Sequence, residues 1–383
     1  MSGFFEDNGE KKVEYIELIY DLIFVYLIGR NNALLHNIKN GFFSVNTYVT
    51  YLISTLVILQ VWYFSTLFIN RYGKESVADY IFLFINMYLL YYLGDGTRTD
   101  WAQYYIRYNV AWGIILLNLA FQYWRIMRGG RGAVWARQHL KYHMLLLLGE
   151  AGIVFAAIPI YILTGIPFSW LSIVFGFIAV ILVARVDALV PVNTEHLTER
   201  IMLFVVFTFG EMIVGLSAYF EGGFGLNTLY FSLMAFLIVA GLFLSYGYLY
   251  ENIIDRNLAN MESGYMQLHV FLIAALNNIT VALEFMREPE VGEAAKNIFI
   301  VVSFLIYYLF LALIGHYAKE DCKANVKFIG RLTGISALFV ASMALGYRNS
   351  WLSIAFSVLY VYSMFGVIVI QRRKAARREL SGK

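Results

Sequence analysis

Val13-Glu14-Tyr15-Ile16-Glu17-Leu18-Ile19-Tyr20-Asp21-Leu22-Ile23-Phe24-Val25-Tyr26-Leu27-Ile28-Gly29-Arg30 decides how the rest of the chain is read. It is a long apolar run, yet Glu14, Glu17 and Asp21 recur in it at helical spacing, on a face continued by Phe24, Ile28 and Gly29. Carboxyls inside such a run are costly in lipid, face a bundle interior or a cavity, and mark candidate functional sites. Taken from 13 to 36, this run is the first of twelve. The others cover 45–69, 78–95, 103–125, 141–163, 167–188, 197–219, 226–249, 264–285, 293–317, 325–345 and 349–371, each near the length of about 20 residues that crosses a bilayer.

Composition agrees with that reading. Of 383 residues, 60% are hydrophobic and only 14% charged, against about 25% charged in a soluble domain. The runs are apolar all round, whereas barrel strands would alternate over about ten residues. The expected fold is therefore all-α: a polytopic membrane protein of about twelve transmembrane helices with short connections and no soluble domain.

An internal repeat organises the twelve. Ser169-Trp170-Leu171-Ser172-Ile173 opens the sixth run, and Ser350-Trp351-Leu352-Ser353-Ile354 opens the twelfth with the same five residues. At the same offset, Ile28-Gly29-Arg30 meets Phe209-Gly210-Glu211. We therefore expect one six-helix repeat over 1–190, a second over 191–371, and a basic tail over 372–383. Six is even, so the repeats should share one orientation, as in one class of transporters with sites between the halves.

The distribution of Lys and Arg sets the expected orientation. With the termini and even-numbered connections on one side, the opposite side keeps only Arg30, Lys39, Arg98, Arg107, Arg287, Lys296 and Arg348 of the 29. Both termini are thus expected in the cytoplasm, the chain crossing the membrane repeatedly. The tail reads as a topological anchor with affinity for anionic lipid headgroups, and nucleic-acid binding is not supported. The first run carries carboxylates and no small-residue cleavage site, so it is expected to remain in the mature chain. Cys322 is the single cysteine, which excludes an intramolecular disulfide and a cysteine metal cluster.

The charged residues differ in what they promise. Glu17 and Asp21 suit a proton or cation site, since neighbouring carboxylates in low dielectric disfavour each other's charge; pairing with a buried Arg is the structural alternative, and Glu14 reads as an interfacial cap. Arg30 and Glu211 are related by the repeat and opposite in charge, and are expected to pair, unless Arg30 snorkels to the headgroups. Asp187-Ala-Leu-Val-Pro191 followed by Glu195-His196-Leu-Thr-Glu199-Arg200 forms a dense polar lead into the seventh run, with Asn193 or Thr194 as helix cap. Glu150, inside Leu148-Gly149-Glu150-Ala151-Gly152, ranks with Asp21 and Glu211. His269, with Asn277 and Asn278 beyond it, is a candidate cavity residue. His139 and His143 have metal-ligand spacing, but Arg137 and Lys141 flank them and no third ligand is evident, so no metal is expected there. Catalytic signatures and a phosphate-binding Gly loop are absent, which argues against nucleotide-driven pumping.

Two of these stretches carry a resemblance. Glu17-Leu-Ile-Tyr-Asp21-Leu-Ile-Phe24-Val25, and Asp187 to Pro191 leading into His196-Leu-Thr-Glu199-Arg200 and Gly210-Glu211-Met-Ile213-Val214, are similar to the bacterial low-temperature-requirement A family. The segment from Tyr265 through His269 to Glu284 resembles it too. The resemblance implies a bacterial inner-membrane protein linked by name to growth in the cold, and it singles out Glu17, Asp21, Asp187, His196, Glu199, Arg200, Gly210 and Glu211. It supplies no reaction, substrate or cofactor.

Three classes of function fit. A secondary, proton-coupled transporter of a small solute accounts for the duplication, the missing nucleotide motif and the intramembrane carboxyls together. A membrane-embedded enzyme or lipid-modifying factor would use the polar cluster around His196. A receptor or assembly factor would use the same residues as a paired core. Expected partners are membrane lipids, the solute and protons, with no cofactor.

Overall fold

Each apolar run is a helix in the computed structural model, which describes residues 12–74, 76–95, 101–129, 134–220, 223, 225–256 and 262–381. Lys11, Arg98 and Arg131 of the charge tally lie outside the described residues, as do the side chains of the tail from 377 onward. In chain order the helices are α1 (Tyr15–Asn31), α2 (Val45–Tyr72), α3 (Val77–Asp95), α4 (Trp101–Arg128), α5 (Val134–Thr164), α6 (Trp170–Asp187), α7 (Thr194–Gly215), α8 (Leu226–Asn252), α9 (Glu262–Phe285), α10 (Glu293–Ile314), α11 (Val326–Gly346) and α12 (Ser350–Ser381). Eleven of them are long and apolar enough to cross a membrane. The exception, α1, has 17 residues, about 25 Å at 1.5 Å per residue. Its reading to residue 36 is corrected here: the helix stops at Asn31 and a short 3₁₀ turn follows over Asn32–Leu34. Asn31 is itself buried and donates through Nδ2 to the Tyr51 carbonyl and to Thr55, anchoring that end on α2.

Contacts divide the chain into two units. The first comprises the described residues of Met1–Asn31, Tyr51–Phe204 and Arg256–Gln267. In it α1 packs on α3, α3 on α4, α4 on α5 and α5 on α6. Polar side chains tie the layers: Tyr20 meets Ser65, Asn86 donates to Tyr20, and Asn118 donates to Asn86. Gly165, at a left-handed φ of 71°, ends α5 by donating its N–H to the Tyr161 carbonyl. The second unit comprises the described residues of Asn32–Thr50, Val205–Asp255 and Leu268–Lys383. There α12 packs on α8 and α11, and α10 on α11. Phe42, Phe43, Phe285 and Phe299 form one aromatic cluster, and Asn297 holds Ser353 at the start of α12.

Burial is uneven in the way a membrane permits. Of the membrane-crossing windows, α9 is 83% buried and α2 78%, while α11 is 11% buried. Leu163, Leu226 and Leu345 are more than four-fifths exposed, a distribution suited to lipid rather than water.

Candidate functional site

Helical spacing on α1 places Glu17, Tyr20, Asp21, Phe24 and Ile28 on its buried side. Opposite them, one turn apart at the start of α7, stand His196 and Arg200, both wholly buried. Arg200 grips Asp21 in fork fashion, Nε to Oδ2 at 3.1 Å and Nη2 to Oδ1 at 2.8 Å, and its Nη1 donates to Glu17 Oε2 at 2.8 Å. Trp62 of α2 donates its indole N–H to Asp21 Oδ1 at 2.9 Å, with its ring against Phe204. Three helices thus meet at one carboxylate.

The protonation pattern of His196 follows from its neighbours. Asn70 Oδ1 accepts from the Asn193 N–H, and Asn70 Nδ2 donates to the Asn193 carbonyl, which fixes the orientation of the amide. The same Nδ2 lies 2.9 Å from His196 Nδ1, so Nδ1 accepts and the ring hydrogen sits on Nε2. That nitrogen faces Glu17 Oε2 at 3.4 Å. Asn193 also caps α7, its Oδ1 accepting from the His196 N–H. Within this constellation one guanidinium faces two carboxylates, and the neutral imidazole adds no charge. Glu17 further lines a small cleft with Glu14, Asp79 and Gln122, of about 30 Å³, room for one or two waters.

A second constellation lies beside it along α2. Asp187, at the end of α6, is approached through Oδ1 by His143 Nε2 at 2.6 Å, His139 Nε2 at 3.2 Å and Arg71 Nη2 at 3.5 Å. A carboxylate only accepts, so both Nε2 atoms carry hydrogen, and His139 Nδ1 accepts from the Tyr72 hydroxyl. The sequence expectation that this His pair lacks a third ligand-type group is corrected: Asp187 joins it, because the end of α6 folds against the start of α5. The three donor atoms lie within 4.8 Å of one another. The guanidinium of Arg71 already supplies positive charge at the same oxygen.

Glu150 stands apart from both. It is wholly buried and midway along the α5 span of 136–164. Neither carboxyl oxygen has a hydrogen-bond partner. Gly176 of α6 makes the space: a Cβ there would collide with Glu150 Oε1 and with Gln60 Nε2. Gln60 reaches in from α2, donating to the Ile173 carbonyl while its own Oε1 stays unpartnered. Ser172, the fourth residue of the repeated pentapeptide, donates to the Glu150 carbonyl.

The remaining candidates are less enclosed. Arg30 is exposed and donates to Tyr26 one turn back. Glu199 is half-buried on α7. Glu211 is also half-buried. His269 is buried, 3.3 Å from the Tyr246 hydroxyl. Sequence reasoning missed Trp62, Asn70, Arg71 and Gln60. Trp and Arg are common at membrane interfaces and in charged connections, so neither type stood out, but Gln60 and Asn70, amides in an apolar run, were a readable signal.

Residues 12–368 match the family model described as "Bacterial low temperature requirement A protein (LtrA)". A search of curated proteins gives no match.

Proposed function

The chain therefore belongs to the bacterial LtrA family, and we propose that this integral membrane protein is a proton-coupled secondary transporter of a small ionic solute. The observation that carries the reading is Glu150, a carboxyl enclosed midway along a span with neither oxygen hydrogen-bonded. An uncompensated charge buried there costs several kcal/mol, so neutrality must come from a proton or a cation, which on the transporter reading arrives and leaves with each cycle. The Glu17, Asp21, His196 and Arg200 constellation, with one cation against two anions, offers a second place where a proton changes the local charge. Glu17 borders a cleft wide enough for water, which gives that proton a route. Under this reading the solute binds where the charge change is felt, and Asp187, Glu199, Glu211, Arg30 and His269 are supporting positions.

The repeats 1–190 and 191–371 are the proposed moving bodies, with both termini in the cytoplasm of a bacterial inner membrane. Ser172 and Ser353, equivalent in the pentapeptides, are both buried near the starts of α6 and α12 and both hydrogen-bonded, which supports the duplication. A second reading, a receptor or assembly factor with a locked polar core, is favoured by Arg200, whose three guanidinium nitrogens are all engaged.

The test is reconstitution in liposomes with an imposed pH gradient, comparing lumenal pH recovery for wild type, Glu150→Gln and Asp21→Asn across a panel of small ions. Solute-dependent proton flux that folded Glu150→Gln lacks is the expected result. Folded wild-type protein giving no flux with any solute would overturn the transporter reading.

A further inference from the structure

We propose that the groove between the end of α4 and the start of α5 is a binding site for an anionic phospholipid, holding its phosphate in a ring of cations and one acyl chain in the apolar trough below. Arg128 from α4 and Arg137 and Lys141 from α5 line this groove together with Gln138 and Tyr142, around about 710 Å³ of free space. All five side chains are exposed. Positions 137, 138, 141, 142 and 145 recur on one side of α5, so the cations converge rather than scatter. No carboxylate pairs with Arg128, Arg137 or Lys141 among the described residues. Arg125, one turn before Arg128, shows the alternative, since it is neutralised by Asp79. Three unneutralised cations in one groove are electrostatically unfavourable until an anion with several acceptor oxygens occupies it.

A free phosphate would satisfy the charge but not what lies beneath. Ile85, Ile114, Leu117, Phe121, Trp124 and Leu148 line a second, apolar groove of about 570 Å³ on α4, α5 and the neighbouring α3. Arg128 of the first groove meets the second at Trp124. The Arg128 guanidinium lies 4.5 Å over its ring, and the other side of the step is built by Phe121 stacked on Trp124 at 5.2 Å. From Arg128 down to Ile114 the helix descends about 20 Å at 1.5 Å per residue, somewhat more than one leaflet of a hydrocarbon core about 30 Å thick. Charge at the interface, a tryptophan at the step and an apolar trough of leaflet depth fit one amphiphile. Basic clusters of this kind at the end of a span attract anionic headgroups, each Lys or Arg strengthening binding about fivefold.

Trp124 is the reporter. Full-length protein in mixed micelles is titrated with phosphatidylglycerol carrying brominated acyl chains, then with brominated phosphatidylcholine, and tryptophan quenching is followed. The expected result is quenching at lower phosphatidylglycerol than phosphatidylcholine, with the selective portion absent in Trp124→Phe. R128Q/R137Q/K141Q, all at exposed positions, should weaken that selective quenching on the order of a hundredfold, with an unchanged melting transition. Soluble glycerophosphate, a headgroup without chains, should not compete in the same range. Equal quenching by the two lipids, or selectivity that survives the triple substitution, would overturn the proposal; competition by glycerophosphate at equal concentration would replace it with a soluble-phosphate site.

Discussion

Arg200 reaches two carboxylates on α1 from a wholly buried position, and its removal leaves both without their counter-charge. Breaking a buried ion pair on one side costs about 3–5 kcal/mol. Arg200→Gln and Asp21→Asn should each lower stability by that order, and the double variant should be less destabilised than the sum of the two, as measured by thermal unfolding in detergent. Glu150→Gln is expected to behave differently. Its oxygens have no partner to lose, so the melting transition should hold while proton flux falls. The niche itself can be tested through its glycine. Gly176→Ala pushes a methyl into the Glu150 carboxyl and the Gln60 amide and should destabilise by about 1–3 kcal/mol through overpacking; adding Glu150→Ala removes the closer clash and gives the Gln60 side chain room to withdraw, so the double variant should melt above Gly176→Ala alone.

At the scale of elements, α1 shows what the sequence made legible and what it hid. Its face of carboxyls was readable from spacing, because a helix period of 3.6 places 17, 21, 24 and 28 together. Its end was not, because the apolar pattern continues through Leu34 and Leu35 while Asn31 turns to bond α2. That early end puts His36 outside the helix, where its Nε2 meets Glu284 Oε2 at 2.8 Å. The hydrogen bond to Glu284 raises the imidazole above its ordinary value of 6.5, against a smaller opposing effect of burial. A raised folded value means that the contact stabilises fully below 6.5 and is lost as pH rises through the folded value. Unfolding measured from pH 5.5 to 9 should therefore show wild type ahead of His36→Gln at the acid end, the gap closing with rising pH. The connection between α10 and α11 carries a second titration. Cys322 is pushed up to about 11, chiefly by burial and then by Asp321, so alkylation of the native thiol should be slow at pH 7–8 and accelerate toward pH 11.

For the whole molecule, the number and placement of the helices followed from the sequence because a chain in lipid must satisfy its backbone within each run. Which polar groups meet did not follow. Both faces of most helices are apolar, since one meets lipid and the other protein, so no periodic contrast points Trp62 at Asp21 or Arg71 at Asp187. Those meetings are made by packing across large separations, and one separation has a consequence for how the protein is made. Arg200 is 179 residues beyond Asp21 and 183 beyond Glu17. At a ribosomal rate of about 5–20 residues per second, α1 leaves the ribosome roughly 10–40 s before its counter-charge exists. During that interval two carboxylates on a 17-residue helix have no guanidinium, and lipid is a poor place to wait. The nascent α1 should therefore stay at the insertion machinery or the membrane surface and enter the bilayer only after α7 has emerged. Nascent chains stalled before Arg200 should leave a cysteine introduced into α1 open to a membrane-impermeant maleimide, and chains stalled well beyond Gly215 should not. Asp21→Leu in the shorter chains should restore early insertion. The ion pair that closes the folded bundle would thus also act as a timer on its assembly.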